Sequence, residues 1–90
     1  MSLTWPYKDP DEVLDYQIDW SERLASDTIV TSTWMVPSGI TKNSDSNNGS
    51  VSTIWLSGGT LGASLELTNR IVTSGGRTMD QTVKLKIRAK

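Results

Sequence analysis

Two stretches of the chain alternate between apolar and polar residues, and this period of two constrains the fold more than any other feature. The first is VLDYQIDW (13–20), in which one parity holds the apolar residues Leu14, Tyr16, Ile18 and Trp20. The second is TMDQTVKLKIRA (78–89), which alternates in the same way. Successive side chains of a strand point to opposite faces, so each stretch predicts a half-buried β-strand.

The rest of the sequence predicts more short strands and no long helix. Residues 28–36, 51–56 and 63–73 are rich in β-branched, aromatic and other apolar side chains, which favours strands. Residues 21–27 predict a helical turn, and the polar segment 41–50 predicts a mobile surface loop. Six or seven antiparallel strands separated by turns indicate an all-β sandwich or small barrel over residues 13–90. Residues 1–12, with two prolines, predict an extended N-terminal arm.

The glycines are candidates either for a phosphate loop or for turns. LSGGTLG (56–62) has no lysine after Gly62, and the segment that follows alternates as a strand, whereas phosphate loops open a helix. We therefore expect Gly58, Gly59 and Gly62 to form a corner between two strands. In SGGR (74–77), Gly75 and Gly76 predict a hairpin turn with positive φ angles.

Composition excludes several kinds of chemistry. The 90 residues include no cysteine and no histidine, which removes the thiol nucleophile, the commonest general base and the commonest metal ligand. The acidic residues lie mainly in the arm and on the predicted outer face of strand 13–20, where they are solvated. We expect no catalytic residue, no metal and no cofactor. Without a long apolar run or a signal pattern, we also expect a soluble chain made in the cytoplasm.

Charge is distributed unevenly along the sequence. Residues 1–28 carry seven acidic and two basic side chains, whereas residues 77–90 carry five basic and one acidic. If the first and last strands are neighbours, Asp15 and Asp19 lie near Lys86 and Arg88. Alternatively, these two charged stripes meet between subunits, head to tail, and set the register of a ring. A nucleic-acid strip is a third interpretation, weakened because no aromatic residue lies within the basic stripe.

Three aromatic residues are candidate contacts with another molecule. Trp5 and Tyr7 are large for a free arm; they either pack on the domain's own flank or reach a neighbouring subunit. Trp55 points outward if Ile54 and Leu56 point inward. Exposed tryptophans stack on the apolar faces of sugars, so a glycan- or host-surface-binding module that uses Trp5 and Trp55 is an alternative function.

The order of several motifs resembles a known family. KDPDEVLDYQIDW, DTIVTSTWMVPSGI, IWLSGGTLG and ELTNRIVTSGGRTMDQTVKLKI together are similar to small tailed-bacteriophage fibre–tail adaptor or neck/tail accessory proteins. The resemblance implies an immunoglobulin-like β-sandwich and a non-enzymatic structural role at the head–tail neck or the tail–fibre junction. It also implies other virion proteins as partners, several symmetric copies, and location in the virion after assembly in the bacterial cytoplasm. A capsid decoration protein is a further alternative.

Overall fold

Two β-sheets face each other across an apolar core in this computed structural model, which describes residues 2–90. The elements in chain order are β1 (Ser2–Thr4), β2 (Leu14–Asp19), α1 (Ser21–Leu24), β3 (Ile29–Met35), β4 (Ile40–Asn47), β5 (Val51–Gly58), β6 (Ser64–Thr73) and β7 (Thr78–Lys86). The prediction of an all-β sandwich with six or seven strands is confirmed. The immunoglobulin-like assignment stays a prediction.

The sheets have the strand orders β1-β7-β6-β3 and β2-β5-β4. All neighbouring strands are antiparallel except β1, which runs parallel to β7 and pairs Leu3 with Val83. Parallel neighbours need a long connection, and nearly the whole chain lies between these two strands. Strand β1 belongs to the segment predicted as an arm, whose first residue lies outside the described part of the chain.

The two alternating stretches form strands whose apolar side chains, at every second residue, point into the core. Tyr16 and Ile18 of β2 are buried, as are Val83 and Leu85 of β7. Strand β3 buries Ile29 and Trp34, which have opposite parity. A register shift between Ile29 and Thr31 reconciles them, because a bulge inserts one residue and reverses the faces.

The prediction of a loop over residues 41–50 is wrong. Strand β4 covers Ile40–Asn47 and pairs with β5 along its length. After Ile40 every side chain of β4 is exposed, so the strand carries no apolar alternation that could indicate it. It is held by backbone pairing at the edge of a sheet, where polar side chains protect against unwanted association.

A buried polar cluster joins the two sheets. The indole Nε1 of Trp20 donates to Asn69 Oδ1 at 2.9 Å, and Asn69 Nδ2 donates to Ser32 Oγ at 2.9 Å. The hydroxyls of Ser32 and Ser52 are 3.1 Å apart. Buried polar groups that are paired in this way fix one arrangement of the core, so the cluster holds the end of β2 against β6 and β3.

The predicted turn glycines occupy corners for two different physical reasons. Positive φ angles occur at Gly58, Gly59, Gly62 and Gly76. A Cβ added at Gly59 would also come within 2.8 Å of the buried Ile87 Cδ1. Gly75 has no positive φ; a Cβ there would lie 2.6 Å from Asp27 Oδ2. Space, rather than backbone conformation, therefore favours glycine at position 75.

Candidate protein-interaction surface

The N-terminal segment continues beyond β1 along the edge of β7. Trp5 N donates to Lys84 O at 2.9 Å, and Lys8 N donates to Lys86 O at 3.0 Å. The N-terminal segment advances three residues, from 5 to 8, while β7 advances two, from 84 to 86. The extra residue makes Pro6 and Tyr7 bulge outward between the two hydrogen bonds. Proline has no N–H to lose at such a position. The segment forms a projecting shelf of three residues, Trp5–Tyr7, beside β2.

Trp5 is a core residue. Its ring stacks on Tyr16 with centroids 4.6 Å apart, and its Nε1 donates to Gln17 O at 3.3 Å. Only 8% of the residue is exposed. The sequence left two alternatives for Trp5, packing on the domain's own flank or contact with a neighbouring subunit, and the structure shows the first. Trp5 is therefore not a free surface group in this chain.

Lys8 is a buried cation that ties this segment to the glycine corner. Its Nζ donates to Gly58 O at 2.6 Å and to Asp9 O at 2.9 Å, and the residue is fully buried. Burial lowers the pKa of the Lys8 ammonium, because the charged form loses hydration, while the carboxylates of Glu12 and Asp9 act in the opposite direction.

A turn at residues 9–12 binds the end of the chain. Asp9 Oδ1 accepts from Asp11 N at 2.9 Å, and Asp9 Oδ2 accepts from Lys90 N at 2.9 Å. Glu12 Oε1 accepts from Asp9 N at 2.8 Å and pairs with Lys90 Nζ at 2.9 Å. These bonds to backbone N–H groups, helped by Lys90, lower the pKa of both the Asp9 and Glu12 carboxyls.

Tyr7 and Arg88 form an exposed pair on the shelf. The guanidinium carbon of Arg88 lies 4.6 Å from the centroid of the Tyr7 ring, the geometry of a cation–π contact. Tyr7 is 45% exposed. Two predicted contact residues are therefore brought together, within one molecule, at its surface.

A groove runs between the shelf and the outer edge of β2. Its volume is about 440 Å³. It is lined by Trp5, Pro6, Tyr7, Leu14, Asp15, Tyr16, Gln17 and Lys90. We call it the β2-edge groove. It collects three of the predicted contact residues, Trp5, Tyr7 and Asp15, in one place.

Trp55 stands beside this groove on the outer face of the β2-β5-β4 sheet. In the strand register it lies between Asp15 of β2 and Ser44 of β4. It is 42% exposed, while its neighbours Ile54 and Leu56 are fully buried, as the parity of β5 predicts. The tryptophan thus presents an apolar ring between two polar neighbours.

The sequence model of one protein family, described as podophage GP4 fiber-tail adaptor protein gp77 (Gp77), matches residues 8–86. The chain belongs to the Gp77 fiber-tail adaptor family. The resemblance identified from the sequence motifs is confirmed. The family is a structural adaptor family and not a class of enzyme. No individually curated protein gave a match to the sequence.

The match to the fiber-tail adaptor family covers the turn at residues 9–12 and all strands from β2 to β7. Asp15, Asp19, Trp55 and Lys86 lie within it. Trp5, Tyr7 and Arg88 lie outside it. The β2-edge groove is therefore built partly from the family region and partly from residues that flank it.

One predicted charge pairing in this adaptor is wrong. Asp15 and Asp19 are on β2 and Lys86 is on β7, and these strands belong to different sheets. The strand that neighbours β7 at the edge is β1. Asp15 and Asp19 point away from the core on one outer face, and Lys86 points away from it on the other. The intramolecular contact of Asp15 and Asp19 with Lys86 therefore does not form, and Arg88 stacks over the Tyr7 ring instead.

Other residues form the ion pairs of this adaptor. Within residues 2–90 the pairs are Lys42–Asp45, Arg70–Asp80, Arg77–Asp27 and Lys90–Glu12. Asp15, Asp19 and Lys86 have no ion-pair partner there. Their charges are available to another molecule.

The described residues lack a candidate metal site and a membrane-spanning helix. They contain no group of three or more acidic, histidine or cysteine side chains placed to hold a metal ion. Among the same residues no helix has the length and apolar character needed to cross a membrane.

Sequence reasoning missed two residues that shape the groove. Lys8 fixes the shelf, and Gln17 supplies the carbonyl that holds the Trp5 indole. Lys8 opens the KDPDE motif, which is one of the motifs that resemble the family. A lysine is almost never fully buried unless it is paired, so nothing in the sequence indicated its position.

Proposed function

We propose that this member of the fiber-tail adaptor family is a non-enzymatic part of the virion that joins proteins at the head–tail neck or the tail–fibre junction. The observation that carries the proposal is the family match over residues 8–86. The groove beside exposed Trp55 supports it, since aromatic residues are enriched at protein interfaces. Assembly in the host cytoplasm before incorporation into the particle belongs to the same proposal.

Several copies arranged head to tail would use the unpaired charges. Asp15 and Asp19 lie on one outer face of the sandwich and Lys86 on the opposite one. A contact between unlike faces is heterologous, and it generates a ring when the rotation closes. The strand order also supports the immunoglobulin-like assignment. Strands β3-β6-β7 and β2-β5-β4 follow the C-F-G and B-E-D pairings of that fold, with β1 moved beside the last strand.

The glycan-binding alternative relied on two exposed tryptophans, and one of them, Trp5, is not exposed. Trp5 is buried, which leaves Trp55 without a second exposed tryptophan among the described residues. A glycan array probed with the wild-type chain and with Trp55→Ala tests the remaining form. A signal that the substitution abolishes would favour this alternative over the adaptor role.

Purified virions of the source phage test the proposed function. Mass spectrometry should detect the chain as a stoichiometric component, and labelled antibody should decorate the neck or tail in electron micrographs. Label distributed over the capsid would instead indicate a decoration protein. Absence of the chain from virions would overturn the proposal.

A further inference from the structure

The outer edge of β2 presents backbone groups that pair with no other described strand, although Gln17 O already accepts from the Trp5 indole. Trp20 N donates to Ser50 O, so the backbone groups of even-numbered residues in this strand point toward β5. Those of Asp15, Gln17 and Asp19 point the other way, because successive residues of an antiparallel pair alternate. The contact of Gln17 O with the Trp5 indole agrees with this direction. Among the described strands, β5 is the only partner of β2.

Compared with the other three sheet edges of the described chain, β2 is the most regular. β3 and β4 both contain register shifts, and β1 has only three residues. Bulges and short length are devices that prevent a strand from being added to an edge. The six residues of β2 pair with β5 without a shift.

Beside the β2 edge the groove is bounded on its other side by the shelf. The shelf Trp5–Tyr7 lies opposite Leu14–Gln17 across the β2-edge groove, with an apolar floor that includes Leu14 and Tyr16. An extended peptide laid against β2 would place alternate side chains toward this floor and toward the outer sheet face. Main-chain hydrogen bonds would then provide affinity and the alternate side chains specificity.

Charge indicates what kind of segment fits. Asp15 and Asp19 stand on the outer face of β2 with Gln17 between them, about 13 Å apart along the strand. Neither has an ion-pair partner in the described chain. Pairing the β2 edges of two copies would bring the same acidic side chains together, which is unfavourable. A strand with a cation opposite each aspartate avoids this.

We propose that the β2 edge accepts an extended segment of another virion protein as an added strand, and that this segment carries lysine or arginine at two positions four residues apart. The residues between them that face the shelf are apolar. This inference rests on the proposed adaptor role, because it names the partner chemistry of that role.

A defined peptide probes the edge directly. The probe has the sequence TKVTVKT with both ends blocked, and binding to the full ¹⁵N-labelled chain is followed by NMR. Amides of Asp15, Gln17 and Asp19 should shift and become protected from hydrogen exchange. The charge-reversed peptide TEVTVET and the proline-interrupted peptide TKVPVKT should each bind about tenfold more weakly or worse. Shifts confined to β4, or no shifts at millimolar peptide, would overturn the proposal.

Variants of the edge provide the matched test. Gln17→Pro removes the outward N–H but keeps the carbonyl that holds Trp5, whereas Gln17→Thr keeps both backbone groups. The first should weaken peptide binding about tenfold, and the second should change it little. Asp15→Asn with Asp19→Asn should weaken binding and reduce its dependence on salt. Unfolding curves exclude variants that do not fold; if Gln17→Pro is among them, the peptides and the asparagine variant decide.

The two proposals can fail separately. If virions lack the chain, the adaptor role is wrong whatever the peptide does. If virions contain the chain but Gln17→Pro binds the peptide as well as wild type does, the strand-addition inference is wrong and the adaptor role stands. Self-association seen by light scattering without any peptide, lost in Gln17→Pro but retained in Lys86→Glu, would indicate a second copy at this edge and would also overturn the inference.

Discussion

The ammonium of Lys8 and the carbonyl oxygen of Gly58 are joined by a 2.6 Å hydrogen bond inside the protein. The bond connects the N-terminal segment to the corner between β5 and β6, and a second bond to Asp9 O holds the ammonium in place. Lys8 therefore anchors the shelf of the β2-edge groove, and because it is fully buried no partner can contact it.

Replacing this cation should destabilise the fold. Lys8→Met keeps an unbranched apolar stem but takes a charged donor from two partly buried carbonyl oxygens, those of Gly58 and Asp9, which costs about 1–3 kcal/mol. Urea unfolding measures the change. Lys42→Met is the control, since its exposed ion pair with Asp45 should contribute less than about 1 kcal/mol. Equal effects of the two substitutions would contradict the anchoring role of Lys8.

The corner should tolerate alanine unequally. Gly62→Ala meets no atom within 4 Å and should cost only the strain of a positive φ, about 1–2 kcal/mol. Gly59→Ala has the same kind of strain and also meets Ile87, so overpacking should add about 1–3 kcal/mol. Thermal unfolding of the two variants compares them. A Gly59→Ala protein as stable as Gly62→Ala would show that Ile87 moves aside freely.

Tyr16 makes stability depend on alkaline pH. Its buried hydroxyl has no hydrogen-bond partner in the described chain, and loss of hydration raises its pKa from 10.0 to about 12. The folded state keeps this proton longer than the unfolded state does. The associated stability is therefore complete below pH 10 and is lost as pH rises toward 12.

The substitution Tyr16→Phe tests this dependence. It removes an unpaired polar atom, so stability at neutral pH should be unchanged or higher. Between pH 10 and 12 the wild type should lose stability relative to the variant, measured by urea unfolding at each pH. Parallel curves for the two proteins across that range would contradict the raised pKa of Tyr16.

Head-to-tail assembly should respond to the opposite charged faces. Lys86→Glu should lower the mean mass seen by light scattering at low salt, and Asp15→Lys in the same chain should restore part of it, because the interacting signs are exchanged. Added salt should reduce the wild-type mass. Glu22→Lys, on the short helix that follows β2, serves as the control for a change of net charge. A chain that stays monomeric at every salt concentration would exclude self-assembly through these faces.

The fold was predictable where a core face imposes alternation. In β2 and β7 every second side chain faces the core, so the alternation in their sequences shows which face is buried. β4 buries only Ile40 and is held by backbone hydrogen bonds. Because any sequence can make such bonds, they leave no pattern from which the strand could be predicted. The direction of β1 was not predictable either, because three residues beside β7 carry no signal that distinguishes parallel from antiparallel pairing.

The candidate surface was predictable residue by residue but not as an arrangement. Parity indicated that Trp55 points outward, and the exposed Trp55 agrees with it. The pairing of Asp15 with Lys86 failed because it required knowing which sheet holds each strand. Burial of Lys8 depends on the Gly58 carbonyl, which lies far from it in sequence and reaches it only through the folded corner.

The parallel pairing of β1 with β7 affects the order in which the protein folds. As the chain leaves the ribosome, β1 is made about 80 residues before the part of β7 that it pairs with (β1 Ser2–Thr4 with residues 82–84). Until residues 82–84 emerge, β1 has no strand to join, and Trp5 lacks the Lys84 carbonyl that fixes its backbone. Docking of β1 therefore cannot precede synthesis of β7, and such long-range contacts slow folding. During that interval Trp5 lacks the partners that bury it in the folded protein.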